Sequence, residues 1–290
     1  MKQRLDPLLT ERAPWLARPG FGPFRRSIER LLRYPETLTW AQICETLPPE
    51  RVMSVMSSLI ACNTSAKGLE NIPRTGPALI VANHPTGIAD GIILHHLLAP
   101  IRRDLYFYAN SDILRVLPQM APMIAPVEWR KDKRSHSKTR ETLAFTRHAV
   151  AQGRIGVIFP SGRLAKRHGL RLHERPWMQS AAQIARKYDL PIIPVNIRAR
   201  NSGLFYLLDR LHPSLRDITL FHEVLNKSNQ PFSLTVGRPI PAAQLPLNPE
   251  VATQYLRDET LALGDHKSPA VSLLKTSRLP IWLEPLPPLP

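Results

Sequence analysis

Residues 78–91 read ALIVANHPTGIADG, and this stretch decides the fold class. Its apolar run predicts a buried strand ending at Asn83, with His84 at the carboxyl end and Asp90 opening a helix. The alternation continues down the chain: LYFYAN then SDILRVL, RIGVIFP then RPWMQSAAQIARKY, and last LPIIPVNIRA. Short β-rich runs alternating with helical ones predict an α/β domain, a mixed, mainly central sheet flanked by helices. ITLFHEV and PFSLTVGRPI predict an added strand pair, and VATQYLRDETLALG predicts a closing helix.

Upstream the pattern is helical. In FRRSIERLLRY, Phe24, Ile28, Leu31 and Leu32 fall in one stripe, flanked by Arg25, Arg26, Arg30 and Arg33. Such a basic amphipathic helix either lies in a lipid interface or packs on the main domain with its basic face solvated. A second stripe, Val52, Val55, Met56 and Leu59, carries little charge and predicts core packing. The chain divides into an N-terminal helical segment over residues 1–64, a domain over 65–266 and a tail over 267–290. The tail's LPIWLEPLPPLP holds too many prolines for a helix and predicts an extended course over the surface.

With 43% hydrophobic residues in a chain of 290, a substantial core is expected rather than disorder. Lys and Arg total 39 against 23 Asp and Glu, a net of +16. That excess favours polyanionic partners: nucleic acid, anionic lipid headgroups or an acidic carrier protein. Cys44 and Cys62 show neither metal-ligand spacing nor a disulfide framework, which fits a reducing compartment. The opening MKQRLDPLLTERAPW has no long apolar stretch, so no signal peptide is expected. No segment approaches the ~18 uninterrupted apolar residues of a spanning helix, so any membrane contact would lie on the surface.

Three segments carry candidate chemistry. A histidine and a carboxylate beyond a strand's carboxyl end, such as His84 and Asp90, can form a general base with an orienting partner. Five residues separate the two, which turns them about 240° apart on a continuous helix, so a loop must bring them together. Gly87 can take the φ values that absorb such a loop. In IGVIFPSGRLAKR, residues 155–167, Ser161, Gly162 and Arg163, with Lys166 and Arg167, could hold a phosphate or stabilise developing negative charge. PVEWRKDKRSHSKTR, residues 126–140, brings Arg130, Lys131, Lys133, Arg134, Lys138 and Arg140 between the two site strands, where they could bind an anion.

With the proline-flanked LPIIPVNIR, these segments in this order resemble the glycerolipid acyltransferases related to lysophosphatidate acyltransferase, from about residue 67 to 198. That family has a His-x4-Asp motif preceded by Asn, a second block with an acceptor-binding arginine, a Phe-Pro-Glu-Gly-Thr-Arg-like block and a proline-flanked apolar block. RNSGLFYLLDRLHPSLRDITLFHEVLNK, residues 200–227, resembles the bacterial branch of lyso-ornithine lipid acyltransferases and their hemolysin-labelled homologues. The resemblance implies that His84 is the general base and Asp90 its partner. Arg130 aligns with the acceptor-binding arginine; Phe159, Pro160, Gly162 and Arg163 match the third block, and Pro194 the fourth. Arg130, Ser161, Gly162 and Arg163 then form the acceptor- or oxyanion-binding set, with no metal and no resident cofactor.

The implied activity is O-acyl transfer in membrane lipid biosynthesis. The donor is acyl-acyl-carrier protein or acyl-coenzyme A as co-substrate, and the acceptor is a lysolipid hydroxyl. The implied setting is peripheral, on the anionic surface of the cytoplasmic face of a bacterial inner membrane, with the N-terminal helical segment membrane-associating. Two departures matter. The spacing is His-x5-Asp, and Ser161 stands where the family has Glu. The lost carboxylate points away from plain lysophosphatidate and towards a lyso-ornithine lipid or another lyso-aminolipid. Two readings from other classes remain open: a catalytically silent lipid-binding protein of this fold, and a basic nucleic-acid-binding protein. Intact His84 and Asp90 argue against the first. The lack of a nucleic-acid motif, and aromatics not interleaved with the basic runs, argue against the second.

Overall fold

The strand Ala78–Ala82 is buried at every position, and in the computed structural model of the chain everything else is laid out around it. The structure describes residues 1–264 except 19, 21, 129–134, 170 and 229. Four helices lead in: α1 (Lys2–Arg12), α2 (Gly22–Leu31), α3 (Tyr34–Glu45) and α4 (Pro49–Ile60). Then come β1 (Thr64–Lys67), β2 (Ala78–Ala82), α5 (Ile88–Leu98), β3 (Leu105–Asn110), α6 (Asp112–Val116), β4 (Ile124–Val127), α7 (His136–Ala151) and β5 (Ile155–Ile158). A hairpin follows, β6 (Lys166–His168) and β7 (Arg171–His173), then α8 (Ser180–Lys187) and β8 (Ile192–Arg198). The described chain ends with α9 (Gly203–Leu211), α10 (Pro213–Leu225), β9 (Phe232–Val236) and α11 (Pro249–Ala262).

The main sheet runs β1-β9-β8-β2-β5-β3-β4. Its five strands from β8 to β4 are mutually parallel, β9 is antiparallel to β8, and β1 is parallel to β9. The class is therefore mixed α/β with a mostly parallel central sheet flanked by helices. An inner parallel strand is covered on both faces, which is why β2 reads as an unbroken apolar run rather than an alternating one. Ala78, Ile80 and Ala82 face a core shared with Ile92, Ile93 and Leu94 of α5. Leu79 and Val81 face the other core, built from Ala149 of α7, Ala181 and Ala185 of α8, and Leu256 of α11.

The connections from β2 and β5 leave in opposite directions. β2 continues through α5 to β3, beyond β5; β5 continues through α8 to β8, beyond β2. Two neighbouring strands whose connections part in this way leave a crevice at their carboxyl ends, the usual place for a site in an open α/β sheet. His84 lies there.

The N-terminal helices share the first core. Leu5, Leu8, Leu9, Trp40, Val52 and Leu59 belong to the same buried cluster as β2 and α5. In the basic stripe Leu32 is buried and Ile28 packs against that cluster, whereas Leu31 is 49% exposed. The side chain of Phe24 and the tail over 267–290 lie outside what the structure describes.

ITLFHEV was expected to be a strand and is instead part of α10. Ile218, Thr219, His222 and Glu223 are all buried, a helical spacing that lays one face of the segment against the body and overrides its β-rich composition. PFSLTVGRPI does supply a strand, β9, whose antiparallel partner is β8.

A buried ion pair at the end of α10 locks the loop beyond β8. Lys227 Nζ donates to Glu223 Oε2 at 2.7 Å, Asn201 Oδ1 at 2.6 Å and Arg200 O at 3.1 Å. Glu223 also accepts from the Ser202 amide at 2.9 Å and hydroxyl at 2.5 Å. Removing one member of such a pair leaves the other charged and buried. Lys227→Met is therefore expected to lower the unfolding free energy by about 3–5 kcal/mol, with part recovered in the Glu223→Gln/Lys227→Met double variant. Urea denaturation checks this, and an unchanged midpoint in the single variant contradicts it.

Candidate active site

Asn83 ends β2 by gripping its neighbour. Its Nδ2 donates to Ile197 O at 2.8 Å, and its Oδ1 accepts from Ile197 N at 2.7 Å. The side-chain amide thus takes both main-chain groups of one β8 residue and fixes where the chain turns off the sheet.

Asp90 is completely buried. Its Oδ2 accepts from the amides of Thr86 at 2.9 Å and Gly87 at 3.0 Å, and its Oδ1 accepts from Thr86 Oγ1 at 2.5 Å. Gly87 is the N-cap of α5 and Asp90 sits at N3, so the carboxylate reaches back to the cap amide as in a capping box. It also lies at the positive end of the helix dipole, which favours its charge. His84 Nδ1 stands 2.9 Å from Oδ2 of the same carboxylate, its N–H off the line between them; catalytic hydrogen bonds commonly tighten only with substrate bound. Gly87 absorbs the extra residue of the His-x5-Asp spacing. Its φ of +98° and ψ of −131° suit glycine, and a Cβ there would come within 3.1 Å of Leu164 Cδ2.

The imidazole of His84 stacks on Phe159, with centroids 4.2 Å apart and planes 23° apart, and the side chain stays 19% exposed. With Nδ1 given to Asp90, Nε2 is the nitrogen left to take a proton.

The turn after β5 comes alongside. Gly162, at φ +59°, donates its amide to Phe159 O at 2.9 Å. Ser161 Oγ donates to Arg163 O at 2.8 Å, and the Ala165 amide donates to His84 O at 2.9 Å. The Ser161 hydroxyl and Gly162 amide thus shape the turn, while the Arg163 side chain is exposed. Arg130 lies outside the described residues. Of the run around it, Lys138 is bound to Glu128 at 2.8 Å.

Sequence reasoning passed over a second carboxyl. Glu174 follows β7, and its Oε2 accepts from the His84 amide at 3.2 Å while its Oε1 accepts from Trp177 Nε1 at 3.0 Å. Burial pushes its carboxyl above the usual range, opposed by these donors, by the Ser161 hydroxyl and by His84. One signal was available: Glu174 is the single acidic residue between Glu141 and Asp189. The hairpin that delivers it was also unforeseen. Beside it a cleft of about 360 Å³ is lined by Asn83, Pro85, Arg171, His173, Glu174 and Arg198, among others. Among the described residues no group of three or more His, Cys, Asp or Glu is placed to hold a metal ion.

The sequence profile of the acyltransferase family matches residues 63–198, the span from just before β1 to the end of β8 that carries every site strand. That span is a little under half of the 290-residue chain. Among its relatives is the lyso-glycine lipid O-acyltransferase of Phocaeicola vulgatus, 28% identical over 181 residues, which are 60% of this chain and 63% of that protein. The lyso-glycine lipid O-acyltransferase of Bacteroides thetaiotaomicron is 24% identical over 181 residues, 60% of this chain and 65% of that one. The match therefore spans less than two thirds of either relative. A solved structure, the 1-acyl-sn-glycerophosphate acyltransferase PlsC of Thermotoga maritima, superposes with a TM-score of 0.48 at 14% identity, over 92% of this chain and 98% of that one.

At this site the approach of His84 to Asp90 depends on the backbone at Gly87. Gly87→Ala is expected to leave the protein folded, strain the loop by about 1–3 kcal/mol and lower kcat/KM more than tenfold. Steady-state kinetics beside a thermal melt tests this. A variant as active as the wild type shows that the loop does not depend on glycine.

Proposed function

We propose that this protein is an O-acyltransferase that moves a fatty acyl chain from an acyl-carrier protein or coenzyme A thioester to the hydroxyl of a lysolipid. The observation that carries the reading is the His84–Asp90 pair at the carboxyl end of the central strand, in the span that matches the acyltransferase family. His84 Nε2 takes the proton of the acceptor hydroxyl as its oxygen attacks the thioester carbonyl carbon. Asp90 stays ionised and stabilises the imidazolium. The carbonyl oxygen becomes an oxyanion, for which the exposed Arg163 guanidinium is the candidate counter-charge. Collapse breaks the carbon–sulfur bond. The thiolate leaves, the proton on His84 passes to it, and the acyl chain remains on the lipid as an ester.

The acceptor reading is a lyso-aminolipid. Ser161 in place of a carboxylate supports it, as do two relatives named for lyso-glycine lipid. An amino-acid headgroup can offer a carboxylate that Arg163 meets in bidentate fashion. The setting is the surface of a membrane, on its cytoplasmic face. Net charge of +16 supports this, as do the exposed Leu31, Ile88, Leu207 and Leu211. No described helix is long and apolar enough to cross a membrane.

His84→Ala is expected to lower acyl transfer by about a hundredfold or more while the melt stays that of a folded protein. Activity within a few-fold of wild type in that folded variant sinks the base assignment. With one acyl-acyl-carrier protein donor and matched chains, kcat/KM should be higher for a lyso-aminolipid than for lysophosphatidate; the opposite order, with no aminolipid turnover, rejects the acceptor reading alone. Sedimentation should show binding to vesicles containing anionic lipid that weakens as salt screens the charges. Equal binding to neutral vesicles at low salt contradicts the electrostatic part.

A further inference from the structure

Glu174 is a half-buried residue whose carboxyl the mechanism above does not use. Two of its partners, the His84 amide and the Trp177 indole N–H, can only donate. A carboxylate suits them, whereas a protonated carboxyl would bring a hydrogen with few places to go. Its location is set by the sheet. β2 and β5 pair with Val81 opposite Ile158, and just beyond the strand ends the His84 ring stacks on Phe159, beside the turn that carries Ser161. The Glu174 carboxylate accepts from the His84 main chain, and the residues after it bind the turn that holds Ser161: the Met178 amide donates to Pro160 O at 2.9 Å and Arg175 Nε to Leu164 O at 2.8 Å. Ser161 is the position at which the turn lacks the expected carboxylate.

We propose that Glu174 is a positioning residue for the transfer reaction: anchored by Trp177, its carboxylate ties the main chain of His84 to the Ser161 turn and fills, from a later stretch of chain, the place left by the missing carboxylate. This rests on the acyl-transfer reading. Asp90 stands beside the His84 ring, Glu174 holds the residue by its backbone, and the ring stacks on Phe159. The chain supplies the second grip through the β6–β7 hairpin, which leaves the turn after Ala165 and returns at His173, one residue before Glu174.

The charged and titratable groups around this carboxyl are His84 on the β2 loop, Arg171 and His173 on β7, Arg175 beside it, Arg198 on β8, and Arg257 and Asp258 on α11. Burial raises the carboxyl's proton affinity. The ionised form that accepts from the amide and indole is therefore present above the raised pKa and lost as pH falls through it.

The experiment measures kcat, KM and the pH profile of Glu174→Gln, Glu174→Ser, Ser161→Glu/Glu174→Ser and His84→Ala, each with a thermal melt. Glu174→Gln has nearly the same shape and keeps one oxygen acceptor. It should lose about ten- to a hundredfold in kcat, as for a misaimed base, with KM for the donor changed less. The acid limb of its kcat/KM profile should be shallower, because one ionisation is gone. Ser161→Glu/Glu174→Ser should recover at least about tenfold over Glu174→Ser by returning a carboxylate to the same place. A Glu174→Gln variant with wild-type kcat and an unchanged profile overturns the proposal, and so does a folded double variant no more active than Glu174→Ser. If His84→Ala keeps its activity, the acyl-transfer reading itself fails. If His84→Ala is inactive and Glu174→Gln is not, only the role of Glu174 falls.

Discussion

A fully buried carboxylate, Asp90, sets the terms for the loop that carries the base. An ionised group withdrawn from water must be compensated nearly completely, since its uncompensated desolvation runs to several kcal/mol. The compensation here is local: two amides and a hydroxyl from Thr86 and Gly87, with the ring of His84 alongside. Hydrogen bonds to charged groups contribute about 1.5–3 kcal/mol each, so the loop that satisfies Asp90 is also the loop that Asp90 holds in shape. The catalytic geometry and the start of α5 are one construction. The glycine at the cap is required because only a residue free of Cβ lets the chain double back within the two residues available.

That loop is useful because of where the sheet puts it. β2 lies between β8 and β5, and its apolar side chains alternate between two cores. Neither face can shift without disturbing packing, so the strand's end is a rigid platform. Asn83 extends the platform by one residue, replacing the ladder hydrogen bonds with its own amide. The parting of the β2 and β5 connections then keeps helices out of the space above the strand ends, where the His84 ring lies against Phe159.

Much of this was legible in the sequence. The buried strand, His84 at its end and Asp90 in the helix after it follow from a short apolar run bounded by proline and glycine, and the α/β class follows from repetition of that pattern. The segment at 218–224 misled because Ile218, Leu220, Phe221 and Val224 have strand-like composition, whereas burial every third and fourth residue made it a helix. The hairpin at 166–173 was opaque because its strands are three residues long and mostly charged or polar, carrying almost no apolar period. Glu174 was overlooked for a related reason. A carboxylate gains its role from what folds onto it, and its partners lie 90 residues upstream, at His84, and three residues downstream, at Trp177.

The sheet's edge has a consequence for how the chain is made. β1 pairs with β9, Thr64 opposite Phe232 and Lys67 opposite Thr235, so an early strand has its neighbour near the far end of the described chain. A ribosome adding about 5–20 residues per second takes roughly ten to thirty seconds between the two. During that interval β1 has no ladder, while α1, α3 and α4 gain their cover from α5, α6 and α10, all made before β9. Late in synthesis, β9 slots between β8 and β1 and joins β1 to the rest of the sheet. A nascent chain halted before residue 232 would therefore display β1 as an unpaired strand, an edge open to pairing with another chain.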